Sequence, residues 1–233
     1  MADALQQTIY VEGLSDEIRR RLDRLGTFDA QSLRSVRRVV SKELAGEPAN
    51  LVISLAEHLL ETPSLAYRVI AYELILYHAE ALRALRAVDL ERLGRDIDSW
   101  GAVDTFACYL AGPAWREKQI PDKVIHGWAR SADRWWRRAA LVSTVPLNNK
   151  TRGGQGDVQR TLRVCRILLE DRDDMVVKAL SWALRELAKR DPAAVREFLS
   201  AHHDELAKRV LREVNNKLST GRKTAVVRHM PDR

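Results

Sequence analysis

Residues that interrupt regular structure recur along this chain at intervals about one helix long. They are Gly26, Gly46-Glu47-Pro48, Pro63, Gly94, Gly112-Pro113, Pro121, Pro146, Gly153-Gly154 and Pro192. Between them apolar residues return every three or four positions, as at Leu51, Leu55 and Leu59. That period predicts helices, and no segment shows the strict alternation of a half-buried strand. Local signals agree. Asp191 stands before Pro192 as an N-cap before a first-turn proline, and Thr62-Pro63-Ser64 repeats the pattern.

Roughly twelve helices in about six antiparallel pairs follow, the habit of HEAT-type helical repeats. One pair cannot bury its own apolar face, so neighbours must stack. The expectation is an all-α, HEAT-like helical repeat solenoid, curved, with a concave surface suited to an extended partner. It is read as a single domain over 1–220 with a frayed tail over 221–233. One polar insertion, Asn148 to Gly156, carries three glycines with Lys150 and Arg152.

Charge narrows the partner. The net charge is +7. Residues 130–170 hold nine basic side chains against Asp133, Asp157 and Glu170, so +6 of that excess lies in 41 residues. Such a concentration suits a polyanion, although a solvated helix face would look the same. Apolar runs are short and broken by charge, which argues for a soluble chain without a membrane span. Met1 to Tyr10 lacks the basic start and apolar block of a signal peptide. Cys108 and Cys165 stand apart from any CxxC or Cys/His cluster and read as buried thiols in a reducing cytoplasm. The histidines lack ligand spacing, so neither a metal nor an organic cofactor is expected. Arg152-Gly153-Gly154-Gln155-Gly156-Asp157 lacks the ending of a phosphate loop and reads as a flexible turn.

Three tryptophan-bearing segments carry the candidate chemistry. In Asp98-Ser99-Trp100-Gly101-Ala102-Val103-Asp104, Ser99 or Asp98 can cap a helix on which Trp100 and Asp104 share a face. An indole beside a carboxylate is a trap for a cation. The alternative is a core tryptophan, with Asp104 paired to the helix dipole. In Asp133-Arg134-Trp135-Trp136-Arg137-Arg138-Ala139-Ala140, Arg134 and Arg138 share a face suited to phosphate, or the tryptophans are core and the arginines solvated. In the segment from Asp173 to Lys189, Lys178, Trp182, Arg185 and Lys189 form one stripe. Trp182 is there either a platform against sugar or base, or the margin of a helix packed through Leu180, Leu184 and Leu187.

Together these segments resemble the DNA alkylation repair family, the HEAT-like alkylpurine DNA glycosylases of the AlkD type. The family pattern is Trp-x-x-Val-Asp, then Trp-x-x-Arg-Ala-Ala, then Lys-Ala-x-x-Trp-x-Leu-Arg-Glu. The chain presents Trp100 to Asp104, Trp135 to Ala140 and Lys178 to Glu186 in the same order and spacing, within a match from about Tyr67 to Leu218. The N-terminal third departs from the family, and its early lesion-side aromatic has no evident counterpart. The resemblance implies a monofunctional glycosylase that releases N3- or N7-alkylated purines from double-stranded DNA without base flipping. It implies that Asp104 assists departure of the base, that Trp100 and Trp182 line the lesion-side sugar, and that Arg138 contacts a phosphate. Arg134, Arg137, Lys178, Arg185, Lys150 and Arg152 complete the expected DNA-binding set. The expected setting is a cytoplasmic, nucleoid-associated monomer. The rival reading is a catalytically inactive HEAT-like module that binds DNA or protein through the same face.

Overall fold

The computed structural model describes residues 2–26 and 28–224, with side chains from Gln6 onward. Among them regular structure is helical throughout, as expected, and no helix is long and apolar enough to cross a membrane. The expected frayed tail beyond Thr224 lies outside the described residues; Gly221, at φ 73°, ends the last helix in the left-handed conformation glycine tolerates. The chain packs as two compact units, Met1–Pro121 and Asp122–Arg233.

The first unit holds α1 (Ala2–Asp23), α2 (Ala30–Glu43), α3 (Ala49–Leu59), α4 (Leu65–Leu76), α5 (Ala79–Ala84), α6 (Ala87–Leu93), α7 (Trp100–Phe106) and α8 (Gly112–Arg116). Helices α2, α4 and α7 follow one another in one layer; α1, α3, α5 and α6 form the other. α4 is apolar nearly all round, with Ile70, Ala71, Tyr72 and Ile75 wholly buried, because it is packed from several sides at once. Asp29 caps α2, accepting from Gln31 and Ser32 N–H at 2.8 Å each. Between α7 and α8 the chain widens to a π-helical turn, Ala107–Ala111. Pro113 lacks the N–H that an α-helical ladder needs there, which accounts for the widening.

The second unit holds α9 (Asp122–Trp128), α10 (Arg134–Val142), α11 (Val145–Asn148), α12 (Val158–Ile167), α13 (Asp174–Leu187), α14 (Pro192–Ala201) and α15 (Lys208–Thr220). α10, α13 and α15 form one layer, backed by α9, α12 and α14. Asp133, Asp173 and Asp191 cap α10, α13 and α14, the last as its proline predicted. Cys108 and Cys165 are both buried, and burial pushes the Cys165 thiol up to about 12.

The turn from Arg152 to Asp157, expected to be flexible, is held at Gly154 and at Asp157 by hydrogen bonds. Asn148 Nδ2 donates to Thr144 O and Thr161 Oγ1, and Asn148 Oδ1 accepts from Asp157 N–H. Arg190 of the loop before α14 donates to the carbonyls of Asn148 and Gly154. A tertiary clamp from far along the chain therefore fixes this loop, which local composition cannot reveal.

A buried polar knot joins α13 to α15. Ser181 Oγ donates to Glu213 at 2.6 Å, and Arg209 donates to the same carboxylate at 3.0 Å. Burial pushes the Glu213 carboxyl up, but the Ser181 and Arg209 hydrogen bonds and the Lys223 charge outweigh it, and its pKa falls below the ordinary value. A depressed folded pKa gives stability that is present above the unfolded pKa and lost as pH falls through the folded one. Glu213→Gln is therefore expected to lower the melting temperature at pH 7, through a loss of roughly 1–3 kcal/mol. The gap from wild type should narrow as pH falls below the carboxylate range. Thermal denaturation of both proteins across pH checks this, and a gap constant with pH would contradict it.

Candidate functional site

Trp100 is the first residue of α7 and is 62% exposed. It is therefore not the core tryptophan of the alternative reading. Neighbouring α7 residues Ala102, Val103 and Phe106 are buried and anchor the helix against the unit. Asp104 follows one turn after Trp100 on the same face and is half-buried. It lies beyond the first turn of α7, where pairing with the helix dipole is weak. Ser99 sits at the N-cap but makes no side-chain cap there, so the expected capping is not made by it. α7 thus presents a flat π-surface to solvent with a carboxylate one turn along.

The second unit carries the basic set, and the structure sorts it. Arg134 is half-exposed; its guanidinium lies 4.8 Å from the centre of the Trp135 ring and 3.6 Å from Asp173. Arg138 shares that face, as expected, but is only 5% exposed. Its Nη1 donates to Met175 O at 2.6 Å, so both arginines are directed at the first turn of α13. Trp136 packs against Trp128 at 4.8 Å between ring centres. Neither tryptophan of α10 is fully buried. Lys178 is half-exposed and pairs with Asp174 at 2.5 Å, which holds that carboxyl below its ordinary range. Trp182 is half-buried one turn further along the same helix face, amid fully buried Leu180, Leu184 and Leu187. Lys150 and Arg152 are exposed on the clamped loop.

Arg137 and Arg185, also expected on the DNA-binding surface, are engaged within the unit as Arg138 is. Arg137 donates to Asp171 at 2.7 Å and to the carbonyls of Ser131 and Ala132. Arg185 donates to Ser181 Oγ at 3.1 Å and lies 3.9 Å from Glu213. Burial pushes the Arg185 pKa down, with Glu213 and Glu186 pulling against it. The facing carboxylates, Asp171 for Arg137 and Glu213 for Arg185, each lie far along the chain from the arginine. No group of three or more His, Cys, Asp or Glu able to hold a metal exists among the described residues.

The motif order, the exposed indole with its carboxylate, and the basic face on α10 and α13 meet an independent comparison. A family model described as DNA alkylation repair enzyme matches residues 26–218. The chain belongs to the DNA alkylation repair enzyme family. Comparison with curated proteins gives no significant match. Membership places the chain among enzymes of DNA alkylation repair, with DNA as partner. The family match starts at Gly26 and so takes in the N-terminal region whose motifs were illegible. That region holds Phe28, half-exposed just before the cap of α2.

Proposed function

We propose that this member of the family hydrolyses the N-glycosidic bond of cationic N3- or N7-alkylated purines in double-stranded DNA. The observation that supports the reading most is the exposed Trp100 indole with Asp104 one turn along α7. A binder of phosphates gains nothing from a carboxylate held there, whereas a cleavage that develops positive charge does.

The reaction suits so spare a site. Alkylation at N3 or N7 leaves the purine positively charged. When the bond from C1′ to N9 breaks, the electron pair goes to the base, which departs neutral. No general acid is needed. The sugar becomes oxocarbenium-like, as in other glycoside hydrolysis. Asp104 stabilises that charge and orients the water that adds to C1′, accepting its proton. Trp100 offers its π-face to the same charge, contributing roughly 0.5–2 kcal/mol. No deep pocket is required if the base is not extruded, in contrast to enzymes that flip their target.

Duplex binding falls to Arg134, Lys178, Lys150 and Arg152, with Trp182 as a platform against sugar or base, and Arg138 reaches a phosphate only by leaving the Met175 carbonyl. Arg137 and Arg185, tied to Asp171 and Ser181, act in this proposal by fixing α10 and α13 rather than by touching DNA. The carbonyl of Met175 holds Arg138 in one orientation. The protein is proposed to act as a monomer on chromosomal DNA in the cytoplasm.

The test is release of free base from a duplex with one 7-methylguanine, alongside Trp182→Ala. Wild type is expected to release the base and leave an alkali-labile site. The variant should release it more slowly with little change in melting temperature. A core tryptophan would instead cost about 3–5 kcal/mol on truncation. Binding without any release by wild type would sink the enzyme reading in favour of a binding module.

A further inference from the structure

The first unit contains a cavity of about 430 Å³ whose wall includes α7, the helix that bears Trp100 and Asp104. Thr105 lines it, with Oγ1 bound to Gly101 O at 2.7 Å. Leu65 lines it too, and its side chain lies 3.5 Å from where a Cβ on Gly101 would stand. The volume falls within the usual range of small-ligand sites.

Its walls have a specific chemistry. Phe28, Leu65 and Val69 give it apolar surface. Phe28 and Leu65 are each about half exposed, so they are not filling a core. Glu73 also lines the cavity and is only 7% exposed. Arg37 holds its Oε2 at 3.3 Å, and the Arg37 guanidinium itself lies 3.8 Å from the centre of the Tyr77 ring. The carboxylate is thus fixed in place as a pure acceptor. Arg34 lines the same cavity, is exposed, and its side chain makes no hydrogen bond or ion pair among the described residues. A cavity with apolar walls, a held carboxylate and a planar guanidinium donor suits a purine edge that pairs donors with an acceptor. Guanine offers N1–H and N2–H₂ as donors beside O6 as acceptor; adenine offers one amino donor beside the N1 acceptor.

We propose that this cavity binds the free 7-methylguanine base, stacked on Phe28, with Glu73 accepting from N1–H and N2–H₂ and Arg34 donating to O6. The cavity then serves as a product site beside the reacting centre. The inference rests on the glycosylase reading for the N7-methyl group and the source of the base, and on the cavity for the guanine edge alone.

The test needs no DNA. 7-Methylguanine and 3-methyladenine are titrated separately into the full chain and into Phe28→Ala and Glu73→Gln, by calorimetry. Wild type is expected to bind 7-methylguanine one to one, at least tenfold more tightly than 3-methyladenine. Glu73→Gln should weaken 7-methylguanine by tenfold or more and narrow the gap between the bases. Phe28→Ala, at an exposed position that does not threaten the fold, should weaken both. Absence of saturable binding up to the solubility of the base, equal affinity for the two bases, or affinity unchanged in Phe28→Ala would each overturn the proposal. Base release from DNA, measured in parallel, separates the two readings. Release without base binding counts against the cavity alone, and base binding without release counts against the glycosylase alone.

Discussion

Asp104→Asn is expected to slow release of 7-methylguanine by roughly tenfold to a thousandfold, the scale seen when one preorganised electrostatic group is removed. Duplex affinity should stay equal or become slightly tighter. The reason lies in when Asp104 meets a positive charge. In the resting complex a carboxylate near phosphates is repelled by them. The sugar supplies a cation only while the bond to the base is breaking, so the interaction acts on the rate and not on the ground state. The substitution keeps the shape of the side chain and removes its charge. Asp104 lies beyond the first turn of α7, where pairing with the helix dipole is weak, and a melting curve recorded beside the rate separates any loss of stability from loss of catalysis. Single-turnover excision beside a binding titration gives both quantities. An unchanged rate would show Asp104 to be structural, and a parallel loss of affinity would show it to be a binding residue.

Gly154→Ala is expected to be the most damaging single-methyl change in the second unit. A Cβ there would stand 2.5 Å from Pro146 O and 2.7 Å from Leu147 C, both backbone atoms that cannot swing aside. Gly154 is buried and donates its N–H to Asn149 O at 2.9 Å, while Arg190 grips its carbonyl. Overpacking of this kind costs about 2–3 kcal/mol, which in a chain of this size lowers the melting temperature by roughly 5–10 °C. Gly153→Asn is the control. Gly153 sits at φ 81°, in the left-handed region that asparagine tolerates, and should be nearly neutral. Because the loop presents Lys150 and Arg152, Gly154→Ala should also weaken duplex binding at temperatures where the protein remains folded. Equal melting temperatures for the two variants would contradict the clamped loop.

These two residues mark the limits of what the sequence discloses. Helices were legible because their signals are local: breakers between them, Asp191 before Pro192, apolar positions every three or four residues. The spacing of Trp100 and Asp104 placed them on one face, but only packing could decide that Trp100 faces solvent. Arg137 and Arg185 looked like DNA contacts for the opposite reason. Asp171 lies 34 residues beyond Arg137, and nothing near either arginine announces the acid that draws it inward. Arg152 to Asp157 read as a flexible turn, whereas Arg190, 36 residues past Gly154, pins it. The π-helical turn after α7 has a local cause in Pro113, yet periodicity alone reads through it as continuous helix. Phe28, Arg34 and Glu73 come from two helices and the segment before them, so no single motif could have joined them.

The central claim is that the lesion's own positive charge does the work of a general acid, leaving one carboxylate and an indole to complete the cleavage. The most direct measurement compares matched duplexes carrying 7-methylguanine, unmodified guanine, or a neutral etheno-adduct of adenine. Free base and alkali-labile sites are quantified together. The account predicts equimolar release from the 7-methylguanine duplex and no release above background from the two neutral bases. Comparable release from the neutral lesion would contradict it, because that departure needs a proton that Trp100 and Asp104 cannot supply.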